Sequence, residues 1–117
     1  MVIHRYLVAL VAACTLTACS TGPDPNKLSI LYRNRSVAEI RVGHYGAGIL
    51  WTVPPGGTFA ETRVRPPVGT LVKRAVYTGG GSSTITCELT GSAGEFVTIE
   101  HAKYAGEAGY RLRCLGW

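Results

Sequence analysis

The sequence predicts an all-β fold: a small antiparallel β-sandwich of about seven or eight strands, immunoglobulin-like or similar, with a partly closed barrel as the alternative. Three observations predict it. Glycine and proline recur about every 8–12 residues from Lys27 onward, which is the strand spacing of sandwiches and small barrels. Apolar and polar residues alternate with period two in the segments between these breaks. No window has a convincing helical period.

Eight segments between the turn residues are predicted as strands. The breaks contain residues that preset a turn or tolerate a positive φ, as in Pro54-Pro55-Gly56-Gly57. The alternation is clearest in the last third, where Ile85, Cys87 and Leu89 share one face of a strand. The predicted strands are, in order, 27–33, 37–45, 48–53, 58–64, 71–78, 83–90, 95–102 and 109–115.

The first twenty residues contain the parts of an export signal in order. A basic start at His4 and Arg5 precedes an apolar run over 6–16, and the run ends in Leu16-Thr17-Ala18-Cys19. This order resembles a bacterial lipoprotein signal peptide with its lipobox. The resemblance implies removal of residues 1–18 and a membrane anchor on Cys19, an N-terminal diacylglycerol with acyl chains such as palmitate. The next residue is Ser20 rather than aspartate, which by the same resemblance favours the outer membrane.

Other interpretations of this segment stay open. One is an ordinary secretory signal cut after Ala13 or Ala18, since both residues are small. Another is lipidation at Cys14, because Val11-Ala12-Ala13-Cys14 nearly matches the same motif. Cys19 is favoured because lipidation at Cys14 leaves only 6–13 as the apolar run. A single-pass membrane helix needs about 20 apolar residues, and this run is shorter.

The predicted organisation is a signal peptide (1–18), a lipidated tether (19–26) and one β-sandwich domain (27–117). The tether is polar and contains Pro23 and Pro25, so it cannot pack into a core. The mature chain of about 100 residues suffices for one small domain. Without Arg5, eleven of the twelve Lys and Arg remain against seven Asp and Glu, so the mature net charge is +4.

Two cysteines, Cys87 and Cys114, remain if Cys19 carries lipid, and in an oxidising compartment a disulfide is the expected outcome. Both lie on the apolar faces of their predicted strands. Neighbouring strands are about 4.8 Å apart, and a disulfide needs Cα atoms within about 7 Å. The two strands are therefore either direct neighbours or face each other across the core. A metal role is disfavoured because there is no Cys-x-x-Cys motif and His44 and His101 lack ligand-like spacing.

Motifs of catalytic chemistry are missing, so the chain is predicted not to be an enzyme and to need no cofactor or metal. The sequence contains no Gly-x-Ser-x-Gly, no His-Glu-x-x-His and no glycine-rich phosphate loop before a helix. Glu39, Glu61, Glu88 and Glu100 are predicted to alternate outward on their strands as solvated carboxylates.

Arginines occur in three i, i+2 pairs: Arg33/Arg35, Arg63/Arg65 and Arg111/Arg113. In an extended chain both members of a pair point to the same side, and the planar guanidinium suits phosphate and carboxylate. One interpretation is an anionic partner, and the other is the solvated face of an amphipathic sandwich. Nucleic acid is not expected in this compartment. The predicted partner-binding residues are Arg63, Arg65, Tyr104, Arg111, Arg113 and Trp117.

The two aromatic residues in this set, Tyr104 and Trp117, stand out by their position in the chain. Tyr104 lies in a predicted loop, where an exposed aromatic ring is a usual interface anchor. Trp117 is the last residue and either packs over the open end of the sandwich or is exposed for a partner. Trp51 shares a strand face with Ile49 and Val53 and is predicted to belong to the core.

These features together predict a non-enzymatic outer-membrane lipoprotein that faces the periplasm, with the cell surface or secretion as less favoured locations. Such a protein binds a protein or an anionic envelope component as an accessory or assembly factor. One alternative is a periplasmic enzyme inhibitor similar to lysozyme inhibitors, although a basic inhibitor suits basic lysozymes poorly and the known membrane-bound inhibitors' signature is missing. Another is a phage- or plasmid-encoded lipoprotein that blocks a surface receptor.

Overall fold

The computed structural model describes residues 24–48 and 50–117, which form eight strands. The predicted signal peptide and the candidate lipidation residues Cys14 and Cys19 lie outside the described residues. Within the described ranges, no helix is long and apolar enough to cross a membrane. The strands are β1 (Lys27–Asn34), β2 (Ile40–His44), β3 (Trp51–Val53), β4 (Thr58–Val64), β5 (Leu71–Thr78), β6 (Gly81–Glu88), β7 (Phe96–Ala102) and β8 (Arg111–Leu115).

The strands form two four-stranded sheets that pack as a sandwich. Sheet A has the order β4-β1-β7-β8, and sheet B has the order β3-β2-β5-β6. Five of the six strand pairings are antiparallel, and the pairing of β1 with β7 is parallel. The predicted all-β sandwich is confirmed. The described strands do not close into the barrel that was its alternative.

Buried side chains from both sheets fill the space between them. In β1, Leu28, Ile30 and Tyr32 face inward, and alternate residues of β7, including Val97 and Ile99, do the same. This is the period-two pattern expected of strands with one buried face. Sheet B contributes valines and an isoleucine to the same cluster: Ile40, Val42, Val53, Val72 and Val76.

The observed strand bounds equal the predicted ones in β4 and β5, whereas β6 begins and ends two residues earlier than predicted. The β2 strand begins at Ile40 rather than at 37, because the preceding loop (35–39) crosses from sheet A to sheet B. Buried Asn34 organises this crossover: its amide nitrogen donates to the carbonyls of Ala38 (2.8 Å), Val53 (3.2 Å) and Pro54 (3.2 Å). Its amide oxygen accepts bonds from the backbone N–H and the hydroxyl of Ser36.

A disulfide joins the two sheets along one edge of the sandwich. Cys87 on β6 and Cys114 on β8 are bonded, with their Cα atoms 5.8 Å apart. Both strands are edge strands, one in each sheet. The predicted disulfide is therefore confirmed, and of the two arrangements left open it is the one that crosses the core.

Aromatic rings close the opposite edge, where β3 and β4 are the edge strands. The ring of Trp51 stacks on Tyr32 with centroids 5.4 Å apart and lies 5.5 Å from the ring of Phe59. Trp51 is half-buried and packs against the core, whereas Ile49 is not among the described residues. The sandwich is thus held by a covalent bond at one edge and by aromatic packing at the other.

Candidate interaction surface

The two ends of sheet A differ in chemistry on its outer face. At the end where β1 finishes and β8 begins, the strand register places Arg33, Glu100 and Arg113 side by side on β1, β7 and β8. The loop between β7 and β8 (103–110) contributes Tyr104, which bonds to Glu100 there. We call this region the basic end; its residues are Arg33, Arg35, Glu100, Lys103, Tyr104, Glu107, Arg111 and Arg113.

Glu100 is at the centre of the basic end. Its carboxylate accepts a bond from the Tyr104 hydroxyl at 2.9 Å and one from the Arg33 guanidinium at 3.2 Å. The residue points outward, as predicted, but it is only 3% exposed rather than solvated because these side chains cover it. Partial burial and the neighbouring carboxylate of Glu100 raise the pKa of Tyr104 above its usual value, so the phenol keeps its proton and remains a donor.

Arg111 and Arg113 share a second carboxylate, that of Glu107. Arg111 Nε lies 3.3 Å from Glu107 Oε2, and Arg113 Nη2 lies 3.5 Å from Glu107 Oε1. The guanidinium of Arg113 also covers the ring of Tyr104, 3.7 Å from its centroid. Tyr104 is therefore half-buried under an arginine, and its hydroxyl is engaged by Glu100, so the loop is fixed on the sheet.

The basic end carries more positive than negative charge. Arg35 and Lys103 are exposed, and neither forms an ion pair with a described carboxylate. The backbone N–H of Arg35 donates to the carbonyl of His101 at 2.8 Å, which holds it beside β7. The basic end therefore has five cationic side chains against two carboxylates. Sequence reasoning treated Arg33/Arg35 and Arg111/Arg113 as separate clusters, and the parallel β1–β7 pairing brings them together.

The third arginine pair lies elsewhere. Arg63 is on the inward side of β4, half-buried and in register with Leu28 at the start of β1. Arg65 donates to the carbonyls of Ala93 (3.0 Å) and Gly94 (2.5 Å), so its guanidinium ties two loops together. These two predicted partner-binding residues are not part of the basic end.

Trp117 packs into the sandwich. It is 9% exposed and belongs to the core cluster, and its indole N–H donates to the carbonyl of Thr98 at 3.0 Å. Its own carbonyl accepts a bond from the backbone N–H of Thr90 at 2.8 Å. Of the two positions that the sequence left open, the structure shows the packed one.

A buried ion pair links the two sheets near the β3/β4 edge. Arg74 on β5 donates through Nη2 to both carboxylate oxygens of Glu61 on β4, at 3.2 Å each. The Tyr32 hydroxyl donates to Glu61 Oε1 at 2.5 Å and accepts a bond from Arg74 Nε at 2.9 Å. The prediction that Glu61 points to solvent is therefore wrong. On β4 the charged residues face inward and small or apolar ones face outward, so the usual polarity of a strand is inverted.

Arg74, Glu61 and Tyr32 satisfy one another's hydrogen-bonding groups, so none of the three is left free to react. Burial, followed by the bond to Glu61, strongly raises the pKa of Tyr32, so its proton stays in place. His44 lies at the mouth of the cluster, with Nε2 4.0 Å from Glu61 Oε2 and 42% of its side chain exposed. The arrangement is that of an interior ion pair with a neutral donor between its members.

A shallow groove of about 370 Å³ lies at the same end of the sandwich as the basic end. His101 forms part of its lining and stacks on Tyr110 with ring centroids 5.3 Å apart. Burial lowers the pKa of His101, and its Nδ1 has no hydrogen-bond partner among the described residues. The other lining residues include Val37, Gly79 and Gly80.

Comparisons with known proteins find no relative of this chain. No protein-family model matches the chain, and neither a curated protein nor a solved structure matches it. Within the described ranges, no three His, Cys, Asp or Glu side chains lie together as a metal-binding group would require. Among the described residues, the basic end brings together five cationic side chains, two carboxylates and a tyrosine.

Proposed function

We propose that this protein is a non-enzymatic lipoprotein of the outer membrane, which faces the periplasm and binds an acidic envelope partner through its basic end. The observation that carries the proposal is the convergence of two arginine pairs around Glu100 and Tyr104. Guanidinium groups bind carboxylate and phosphate in planar, two-point geometry. Arg35 and Lys103 supply cations that the local carboxylates do not neutralise.

The fixed loop supports recognition. Tyr104, Glu107 and the two β8 arginines hold one another in place, so a partner meets arginines whose positions are already set. Preorganised side chains lose less conformational entropy on binding than flexible ones do. A rigid scaffold that displays an aromatic ring and several arginines has the composition of an interface centre.

The anchor is tested by the intact mass of the protein purified from its own membranes. We expect a chain that begins at Cys19, carries a diacyl or triacyl modification and lacks two hydrogen atoms because of the Cys87–Cys114 bond. A Cys19→Ser variant should not gain the lipid mass. An unlipidated chain with another start refutes the anchor.

The partner is tested by photo-crosslinking in intact cells with p-benzoylphenylalanine at Ala105, an exposed residue next to Tyr104. The same probe at Thr84, exposed on the outer face of sheet B, is the control. We expect a discrete adduct at position 105 that the double variant Arg35→Gln/Lys103→Gln reduces several-fold. The matched variant Arg41→Gln/Lys73→Gln removes two cations from sheet B and should leave the adduct unchanged. Equal adducts with both variants contradict the proposal.

A further inference from the structure

The end of the sandwich opposite the basic end is ringed by exposed apolar side chains. We call it the tether end, because residues 1–23 join the described chain there. Of nine exposed large hydrophobic residues in the described ranges, five are at this end. They are Val64 (79% exposed), Val68 (65%), Leu71 (63%), Phe96 (58%) and Leu115 (37%).

Strand register and hydrogen bonds place these residues at one end. Val64 pairs with Lys27 at the start of β1, Phe96 pairs with Ser29, and Leu115 pairs with Thr98 on the next strand. The loops are tied to the same end, since the backbone N–H of Arg65 donates to Asn26 and its side chain reaches the loop before β7. Val68 lies in this connection from β4 to β5, and Leu71 begins β5.

The chain outside the described residues starts from this apolar end. Asp24 directly precedes the turn that leads into β1, where the Lys27 N–H donates to the Asp24 carbonyl at 3.1 Å. Cys19 is five residues before Asp24, so an extended tether spans at most about 18 Å. A lipid on Cys19 therefore holds the tether end, and not the basic end, close to the bilayer.

We infer that the tether end is seated on the phospholipid bilayer in which the protein is anchored. The inference rests on the proposed lipidation of Cys19 and adds a second contact with the same membrane. We assign lipid as the occupant for two reasons. The apolar residues surround the point where the tether joins the domain, and the tether is too short to hold this end far from the bilayer. A short tether gives the tether end a high effective concentration at the bilayer, so even a weak contact is enough to keep this end on the membrane.

The contact is apolar rather than electrostatic. Charged residues at the tether end are of mixed sign, with Lys27, Arg63 and Arg65 against Asp24, Glu88 and Glu95. Exposed Phe, Leu and Val side chains partition into the boundary between headgroups and acyl chains. We therefore expect the tether end to contact neutral and anionic phospholipids equally well. This independence of lipid charge distinguishes the contact from the proposed ionic binding at the basic end.

Seating at the tether end also orients the molecule. β1 has eight residues, and at about 3.3 Å per residue its far end is about 26 Å away along the strand. The basic end then points away from the bilayer, where an acidic partner in the periplasm meets it. The two proposals thus assign opposite ends of the same sheet to lipid and to partner.

The test is photo-crosslinking of the lipidated full-length protein in isolated membranes. p-Benzoylphenylalanine replaces Phe96 or Val68 at the tether end, and Val37 at the opposite end is the control because it is 88% exposed and equally apolar. After irradiation, intact mass reports the lipid on Cys19, and peptide mass reports any adduct at the probe. We expect phospholipid adducts at positions 96 and 68 in several-fold higher yield than at position 37.

The remaining outcomes overturn the inference in distinguishable ways. Equal lipid yields at positions 96, 68 and 37 mean that the tether end is not specifically seated. A dimer-mass adduct at 96 indicates a second copy of the chain as occupant, and an adduct with another protein indicates a protein interface. If the mass shows no lipid on Cys19, the anchor itself fails and the inference fails with it. None of the first three results affects the adduct expected at position 105, so the proposed function is judged separately.

Discussion

The side chain of Arg74 is only 4% exposed, so its positive charge depends on Glu61 for compensation. Glu61→Gln leaves a buried cation without its anion, and breaking such a pair costs about 3–5 kcal/mol. We expect the free energy of unfolding in urea to fall by an amount in this range. Glu39→Gln is the control, since its ion pair with Arg41 is half-exposed and worth less than about 1 kcal/mol. Equal losses for the two variants contradict a structural role for the interior pair.

His101 gives the fold a dependence on pH. Burial lowers its pKa below the ordinary value of 6.5, so the unfolded chain binds the proton more readily than the folded chain does. The contribution of neutral His101 to the free energy of unfolding is therefore fully present above about pH 6.5. It is lost as the pH falls toward the folded-state pKa. We expect the urea midpoint of the wild type to drop between pH 7.5 and pH 5.5, and His101→Gln to drop less. A drop in His101→Gln as large as that of the wild type contradicts this role for His101.

Asn34 determines how the chain passes from sheet A to sheet B. The residue is completely buried, and its side-chain amide donates hydrogen bonds to the carbonyls of Ala38, Val53 and Pro54. Asn34→Ala removes all of these bonds, and each buried group left unpaired costs about 1–3 kcal/mol. We expect a loss of at least about 2 kcal/mol in the free energy of unfolding. Asn26→Ala, at an exposed turn, should change it by less than about 0.5 kcal/mol.

The disulfide between β6 and β8 is the covalent link between the two sheets. Its residues are 27 apart in sequence. Closing a loop of this length lowers the conformational entropy of the unfolded chain and so stabilises the fold by about 3.5 kcal/mol. We expect Cys87→Ala/Cys114→Ala to lose about this amount and to keep the β circular dichroism spectrum, because the Glu61–Arg74 pair still joins the sheets. A larger loss with disappearance of the spectrum shows that the opposite edge cannot hold the sandwich alone.

Strand positions could be predicted from sequence because turn residues and period-two alternation are local signals. The outward orientation of Glu61 was predicted wrongly because β4 carries its charges inward and presents Ala60, Thr62 and Val64 to solvent. Only the tertiary partner, Arg74 on the other sheet, explains that inversion. The basic end was missed as a unit for a similar reason. It exists because β1 and β7 pair in parallel, and no short-range pattern encodes that pairing.

The two edges and the two ends of the sandwich all differ in chemistry. One edge is closed by the disulfide, and the other by Trp51, Phe59 and the interior ion pair. One end is basic with a tyrosine, and the other is apolar and joined to residues 1–23. Because the edges hold the two sheets together independently of the ends, surface changes at either end can be made without loss of the fold. This separation makes the two proposed contacts testable in one molecule.

The two ends should respond differently to salt. The Debye length falls from about 10 Å at 0.1 M to about 3 Å at 1 M, so an ionic contact of exposed arginines weakens while an apolar contact does not. We expect the partner adduct from p-benzoylphenylalanine at Ala105 to fall several-fold over this range, and the phospholipid adduct at Phe96 to stay constant. Both yields are measured on the same washed membranes. A parallel decrease of the two adducts indicates one continuous electrostatic surface, and a partner adduct that resists salt means that the arginines are not what binds it.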